Sequence, residues 1–195
     1  MPCVGIGTGV VFNRLSGFEL NPMAIAFLNA TGITDPTTVY AINYLCNALD
    51  AANLTSKMVA LYPFVGGTST TTSYNLINPL NFKMNWNGGL TFSSTGVKSN
   101  GINGYGNTGI APNGFLTSES HISFYSRTAS PAVFASGWDV GAFAGGSDLV
   151  RMAIGFDNNV YADMWIGTSE IQVLDATKTG FWLMSRTASN DFSLY

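Results

Sequence analysis

The sequence predicts a mainly β protein, an antiparallel two-layer β-sandwich of jelly-roll, laminin-G/concanavalin-like type, preceded by one α-helix. Three observations lead there. One segment, residues 36 to 52, repeats its apolar side chains at three- and four-residue spacing. From Met58 onward the period is two, and clusters of Gly, Asn, Ser and Thr divide the chain into many short strands. Charged residues make up 10% of the 195 residues, against about 25% in an average globular chain, and small polar residues fill the difference. The length suffices for a substantial core without staples. Three segments follow: an N-terminal attachment or assembly arm (1–34), a helix packing on the sandwich or on a neighbour (35–57), and the sandwich itself (58–195).

The helix is delimited by its own chemistry. Asp35 offers an N-cap and Pro36 an N1 proline, whose missing N–H costs nothing in the first turn. Val39, Ile42, Leu45, Cys46 and Leu49 form one stripe, and Asn53 is a left-handed stop with Leu54 folding back on the stripe. In the β region the clearest signal is a hairpin. Val150, Met152, Ile154 and Phe156 alternate with Arg151, Ala153 and Gly155; after a turn at Asp157-Asn158-Asn159, Val160, Ala162, Met164 and Ile166 alternate with Tyr161, Asp163 and Trp165. Further strands are expected at 58–64, 82–86, 89–93, 120–127, 132–137, 170–175, 180–186 and 191–195.

The pentapeptide Ser-Arg-Thr-Ala-Ser occurs twice, at 126–130 and 185–189, each time closing an apolar run. Aligning the copies pairs Ile122, Phe124 and Ser126 with Phe181, Leu183 and Ser185. This predicts equivalent corners of one sheet, with Arg127 and Arg186 on the same face. A single recurrence does not make a repeat protein.

Several chemistries are poorly served. A net charge of −3 with no basic run argues against phosphate-held nucleic acid. No window of about 18 apolar residues exists for a membrane-spanning helix, and the N-terminus lacks the basic start of a signal peptide. The two cysteines, Cys3 and Cys46, make no disulfide framework, and Cys46 reads as a buried thiol. The only histidine, His121, has no Cys or His partner at ligand spacing, and no Gly-x-Ser-x-Gly elbow is present. Gly5-Ile6-Gly7-Thr8-Gly9 is not a nucleotide fingerprint and lacks the phosphate-loop lysine. Asp157, Asp163, Glu170 and Asp175 are scattered, and no two acidic residues stand at i, i+2 as a sandwich glycosidase requires. A calcium ion on Asp157 and the 157–159 turn competes with a bare turn. Asn29-Ala30-Thr31 and Asn53-Leu54-Thr55 match the glycosylation sequon by chance in an Asn- and Thr-rich chain. Arg127 and Arg186 can hold an anion or simply cover apolar surface, and Arg127-Thr128-Ala129-Ser130 also fits a basophilic kinase pattern too short to carry weight. Tyr125, Trp138, Tyr161, Trp165 and Trp182 are enough aromatics for a sugar-stacking face, but most are assigned to the core. No catalytic, cofactor-binding or metal residue is assigned, no cofactor is implied, and ligand-binding residues stay unassigned.

The succession TDPTTVYAINYLCNALDAANLTSKMVALYPFVGGT, then LTFSSTGVKSNGINGYGNTGI, then HISFYSRT and FWLMSRTASNDFSLY, resembles a group of bacteriophage virion proteins, tail-, fibre- or spike-associated, that carry a laminin-G/concanavalin-like sandwich. The likeness spans roughly residues 20 to 195, and the helix followed by YPFVGG is its most specific part. It implies a non-enzymatic virion structural protein, assembled in the host cytoplasm, that contributes to host-surface attachment. It also implies a homo-oligomer, a trimer by analogy with fibres and spikes, whose apolar residues 1–30 contact another copy or another virion protein. Related sandwiches continue past the strand at Asp191–Tyr195, so that strand either closes the domain or further strands follow it in a longer protein. A stand-alone carbohydrate- or receptor-binding module is the alternative, and a glycan-cleaving enzyme a more distant one.

Overall fold

In the computed structural model the described residues are 14–15, 18–111, 119–128, 138–143, 149–156, 159–164, 171–174, 179–188 and 191–195. The chain is mainly β and divides into two compact units, Met1–Gly109 and Ile110–Tyr195.

The first unit is built on a helical hairpin. A two-residue ladder, β1 (Arg14–Leu15) with β2 (Phe18–Glu19), leads into α1 (Pro22–Thr31), which is followed by α2 (Pro36–Ala51). Both helices start alike, with an Asx side chain capping the first turn and proline behind it. Asn21 accepts from the Met23 N–H at 2.9 Å, and Asp35 accepts from Thr38 N–H at 2.8 Å. Helix α1 ends at Gly32 in the left-handed region, φ 70°. Helix α2 ends before Asn53, φ 56°, where the Leu54 N–H reaches back to Leu49 C=O. Ala24, Phe27 and Leu28 of α1 pack with Val39, Ile42 and Cys46 of α2, closed by Leu20, Ile33 and Leu76. The stripe expected on α2 is thus buried, and α1 is what covers it.

Helix α1 corrects two expectations. Helix α2 is not the only long helix, and the apolar stretch of residues 20–33, expected within an attachment or assembly arm, places Leu20, Ala24, Phe27, Leu28 and Ile33 in its own unit's core. The first 13 residues, with Gly5 to Gly9, Cys3 and the apolar Val10-Val11-Phe12, lie outside the described residues.

After two short 3-10 turns (Thr55–Lys57 and Thr71–Ser73), the unit ends in one long irregular hairpin. Its outer rungs pair β3 (Asn85–Asn87) with β6 (Tyr105–Asn107); its inner rungs pair β4 (Leu90–Ser93) with β5 (Gly96–Ser99). Between them Gly88-Gly89 on one arm faces the longer loop 100–104 on the other. Asn100 staples that loop, its Oδ1 accepting from the N–H groups of Ile102, Asn103 and Gly104 at 3.0, 3.1 and 3.2 Å. A Cβ on Gly88, φ +71°, would lie 2.0 Å from the Asn103 carbonyl oxygen, so only glycine fits there. Residues 58–64, expected as a strand, pair with no strand among the described residues. They are held instead by the Leu76 N–H to Leu61 C=O bond and by the side chain of Asn75.

The described residues of the second unit form two antiparallel sheets. One is a meander in the order β11-β10-β9-β8, from β8 (Val140–Phe143), β9 (Leu149–Phe156), β10 (Asn159–Met164) and β11 (Ile171–Leu174). The other has the order β13-β12-β7, from β7 (Ser120–Ser126), β12 (Gly180–Ala188) and β13 (Asp191–Leu194). The expected β9–β10 hairpin is present, with Val160 opposite Ile154, Ala162 opposite Met152 and Met164 opposite Val150. These residues share one buried cluster with Met184, Ile122, Phe124, Trp182, Phe192 and Leu194 of the other sheet, so the two sheets contribute to one core. The expected domain boundaries fell at 34/35 and 57/58, whereas the compact units divide after Gly109. The strand expected at 132–137 lies outside the described residues.

Candidate functional site

Period-two alternation decides which side chains of β7, β12 and β13 meet water. Ile122 and Phe124 of β7 face the core cluster with Trp182 and Met184 of β12. His121, Ser123 and Tyr125 therefore point outward, and the register sets Ser185, Leu183 and Phe181 directly opposite them. On β13, Ser193 pairs with Ser185. Tyr195 pairs with Leu183 through two backbone hydrogen bonds of 3.0 and 2.9 Å. The outward face is a grid in three rows: His121–Ser185–Ser193, Ser123–Leu183–Tyr195, and Tyr125–Phe181. Its aromatic end is unusually open, with Tyr125 63%, Phe181 62% and Tyr195 70% exposed. At the other end Glu119 precedes β7 and Asp191 opens β13, its carboxylate accepting from the Thr187 hydroxyl at 2.6 Å.

The outward face of the four-stranded sheet is occupied by its own side chains. Arg151 and Asp163 are cross-strand partners and form an ion pair at 3.5 Å, while the Arg151 guanidinium lies 4.2 Å from the Trp138 ring centroid. Gln172 donates to the Tyr161 hydroxyl at 3.1 Å. Asp139, just before β8, accepts from the Ile154 N–H at 2.6 Å. The residue is exposed but its carboxylate is tucked against β9, and desolvation there raises its pKa above the ordinary aspartate value, against the pull of that hydrogen bond.

In the first unit an aromatic run links Tyr62, Phe64, Trp86 and Phe92 at centroid separations of 6.2, 5.8 and 5.4 Å. Phe64 and Phe82 both sit at positive φ, 50° and 54°, a costly conformation for a bulky residue. The Tyr62 hydroxyl, two residues before Phe64, donates to the Phe82 carbonyl. Burial pushes the Tyr62 hydroxyl up to about 12. Burial, reinforced by the Asp50 charge, likewise pushes the Cys46 thiol up to about 12. Neither group is an anionic nucleophile near neutral pH.

The residues singled out in the sequence do not converge. His121 stands on the outward face of β7, and among the described residues no three His, Cys, Asp or Glu side chains group to hold a metal. Asp163 is engaged by Arg151; Asp157, Glu170, Asp175 and Trp165 lie outside the described residues. The two SRTAS corners share a sheet, as expected, but are not equivalent. β7 and β12 run antiparallel, so Ser126 sits opposite Gly180 and Ser185 opposite His121, at opposite ends of the pair. Ser126 belongs with Ile122 and Phe124 on the core side, whereas Ser185 faces outward. Arg186 has the core-side parity of Met184, its Nε donating to Ala188 C=O at 3.1 Å, and Arg127 follows the last residue of β7. Aligning the copies in parallel matches exposed Tyr125 with fully buried Met184, so the aligned positions are not structurally equivalent. Of the five aromatics assigned mostly to the core, Tyr125 and Trp138 are exposed, while Phe181 and Tyr195 were overlooked. Comparison with protein-family models, curated proteins and solved structures gave no match.

Proposed function

We propose that the chain is a non-enzymatic structural protein of a bacteriophage virion, a fibre, spike or tail-associated component that contributes to host-surface attachment and works as a homo-oligomer. The observation that supports assembly is the outward side of the helical hairpin. A surface helix ordinarily turns charges to water, yet α1 carries none and α2 only Asp50, which is bonded to Thr55 and Asn21. Exposed on α2 are Tyr40 and Tyr44, stacked with centroids 6.5 Å apart, beside Ala41, Ala48 and Ala51. Small residues beside flat rings suit close packing on another helix, and an uncharged face leaves no buried charge unpaired when it is covered. The finer fold reading is a jelly-roll, laminin-G/concanavalin-like sandwich. It is supported by β7, β12 and β13 lying in one layer while the intervening β8 to β11 form the other.

Light scattering on the full chain at micromolar concentration tests the assembly. A homo-oligomer, a trimer if the likeness to fibres and spikes extends so far, is expected, and Tyr40→Glu with Tyr44→Glu should lower the mass toward the monomer. A monomer in the unmodified chain would favour the stand-alone binding module.

A further inference from the structure

We propose that the outward face of the β13-β12-β7 sheet is a binding platform for a neutral oligosaccharide. The attachment reading supplies the biological setting; the site itself rests on the grid of side chains. Tyr125 and Phe181 stand directly opposite each other, 63% and 62% exposed, with Tyr195 just past the end of the third strand. Rings this open are costly on a face that stays bare. A pyranose offers them a C–H surface on one side and hydroxyls around its rim. The His121–Ser185–Ser193 row supplies donors and acceptors for those hydroxyls, and Asp191 adds carboxylate acceptors at the same end. Four residues of strand separate Tyr125 from His121, about 14 Å at the usual rise, so a linear saccharide lying along β7 reaches both ends.

Size and charge decide against other occupants. The described strands, of seven, nine and four residues, lie about 4.8 Å apart and reach at most about 30 Å, a face of a few hundred Å², well short of the roughly 800 Å² per partner that a stable dimer buries. Among the described residues Glu119 and Asp191 share their end with Arg186, opposite Ser120, and Arg127 lies beyond the aromatic end, so no cluster of cations favours a polyanion. A flat platform covers only one side of its ligand, so each site binds weakly, and several copies in one particle raise the avidity.

The test uses the full chain with maltohexaose, cellohexaose and chitohexaose as neutral probes, a broad glycan array, and polygalacturonate fragments as the anionic comparison. Saturation-transfer NMR and titration should detect at least one neutral saccharide at millimolar affinity or better. Phe181→Ala and Tyr125→Ala, both at exposed positions, should each weaken it tenfold or more with unchanged melting, while Phe181→Tyr retains it. Three outcomes would overturn the proposal: no neutral saccharide bound, binding only to the anionic fragments, or binding that persists in the folded double alanine variant. Self-association abolished by that double variant would also overturn it, by showing a second copy on the face. Saccharide binding by a strictly monomeric chain would leave the platform standing and sink the assembly reading; an oligomer that binds no saccharide would do the reverse.

Discussion

Asn75 does the structural work of a missing strand. It is fully buried; its Oδ1 accepts from the N–H groups of Leu61 and Ile77 at 3.0 and 3.1 Å, and its Nδ2 donates to the carbonyls of Val59 and Asn81 at 3.3 and 3.4 Å. Asn75→Ala leaves those backbone groups unpaired in a dry site, and a loss of about 3 kcal/mol is expected in urea unfolding; a change within experimental error would mean the segment is held by something else. Cys46 makes a second residue-scale case. With its thiol pushed up to about 12 by burial and by Asp50, it should resist alkylation at neutral pH in the folded chain and react once urea unfolds it, as mass mapping of the labelled peptide would show. The buried thiol was legible, since Cys46 falls on the α2 stripe. The role of Asn75 was not, because an asparagine between Tyr74 and Leu76 looks the same whether it turns the chain or staples two distant segments.

Among the elements, α2 was legible and α1 was not, although both open with an Asx-Pro cap. The difference is periodicity. Val39, Ile42, Cys46 and Leu49 leave a polar remainder around α2, whereas Met23 to Leu28 is apolar on every side and gives no stripe to read. The cap Asn21-Pro22 and the stop Gly32 were the available signals. Asn21 also joins the helices, with its N–H on Asn43 Oδ1 at 2.7 Å and its amide on Asn47 and Asp50 at 3.1 and 2.7 Å. Asn21→Ala should therefore cost about 2 kcal/mol, more than the ~1 kcal/mol typical of a cap alone; thermal or urea unfolding decides it. The β7–β12 pair shows the opposite failure, where a repeated word suggested a shared face and the antiparallel register refused it. The same register separates neighbouring side chains sharply. Met184→Ala, in the shared core, should cost about 3 kcal/mol, while Phe181→Ala stays within about 0.5 kcal/mol, and equal effects would contradict the facing of β12. The platform was half legible: Tyr125 was noted among possible sugar-stacking residues, but its partners become visible only when pairing sets Phe181 and Tyr195 beside it.

At the scale of the whole molecule, the two units should respond to acid with opposite signs. In the first unit Asp35 is held below the ordinary aspartate value by the Thr38 N–H and then by the Thr38 hydroxyl. Asp50 is held down by the Thr55 hydroxyl and then by Asn21. A carboxyl whose folded pKa is depressed stabilises the fold above the unfolded pKa of about 3.9, and that contribution is lost as pH falls through the lower folded value. In the second unit Asp139 is shifted upward by desolvation, so its protonated form suits the folded state better. Its contribution is present below about pH 3.9 and is lost as pH rises through the raised folded value. Acidification should therefore weaken the helical unit while relieving the sheet unit. Hydrogen exchange in moderate urea, read by mass spectrometry at neutral pH and near pH 3 and corrected for the intrinsic rate, separates the two. Peptides from residues 20–60 should lose protection on acidification relative to peptides from 149–188. Asp35→Asn with Asp50→Asn should flatten the first response, and Asp139→Asn the second. If the sheet unit instead loses protection first and Asp139→Asn leaves that loss unchanged, the carboxylates named here do not set the acid response.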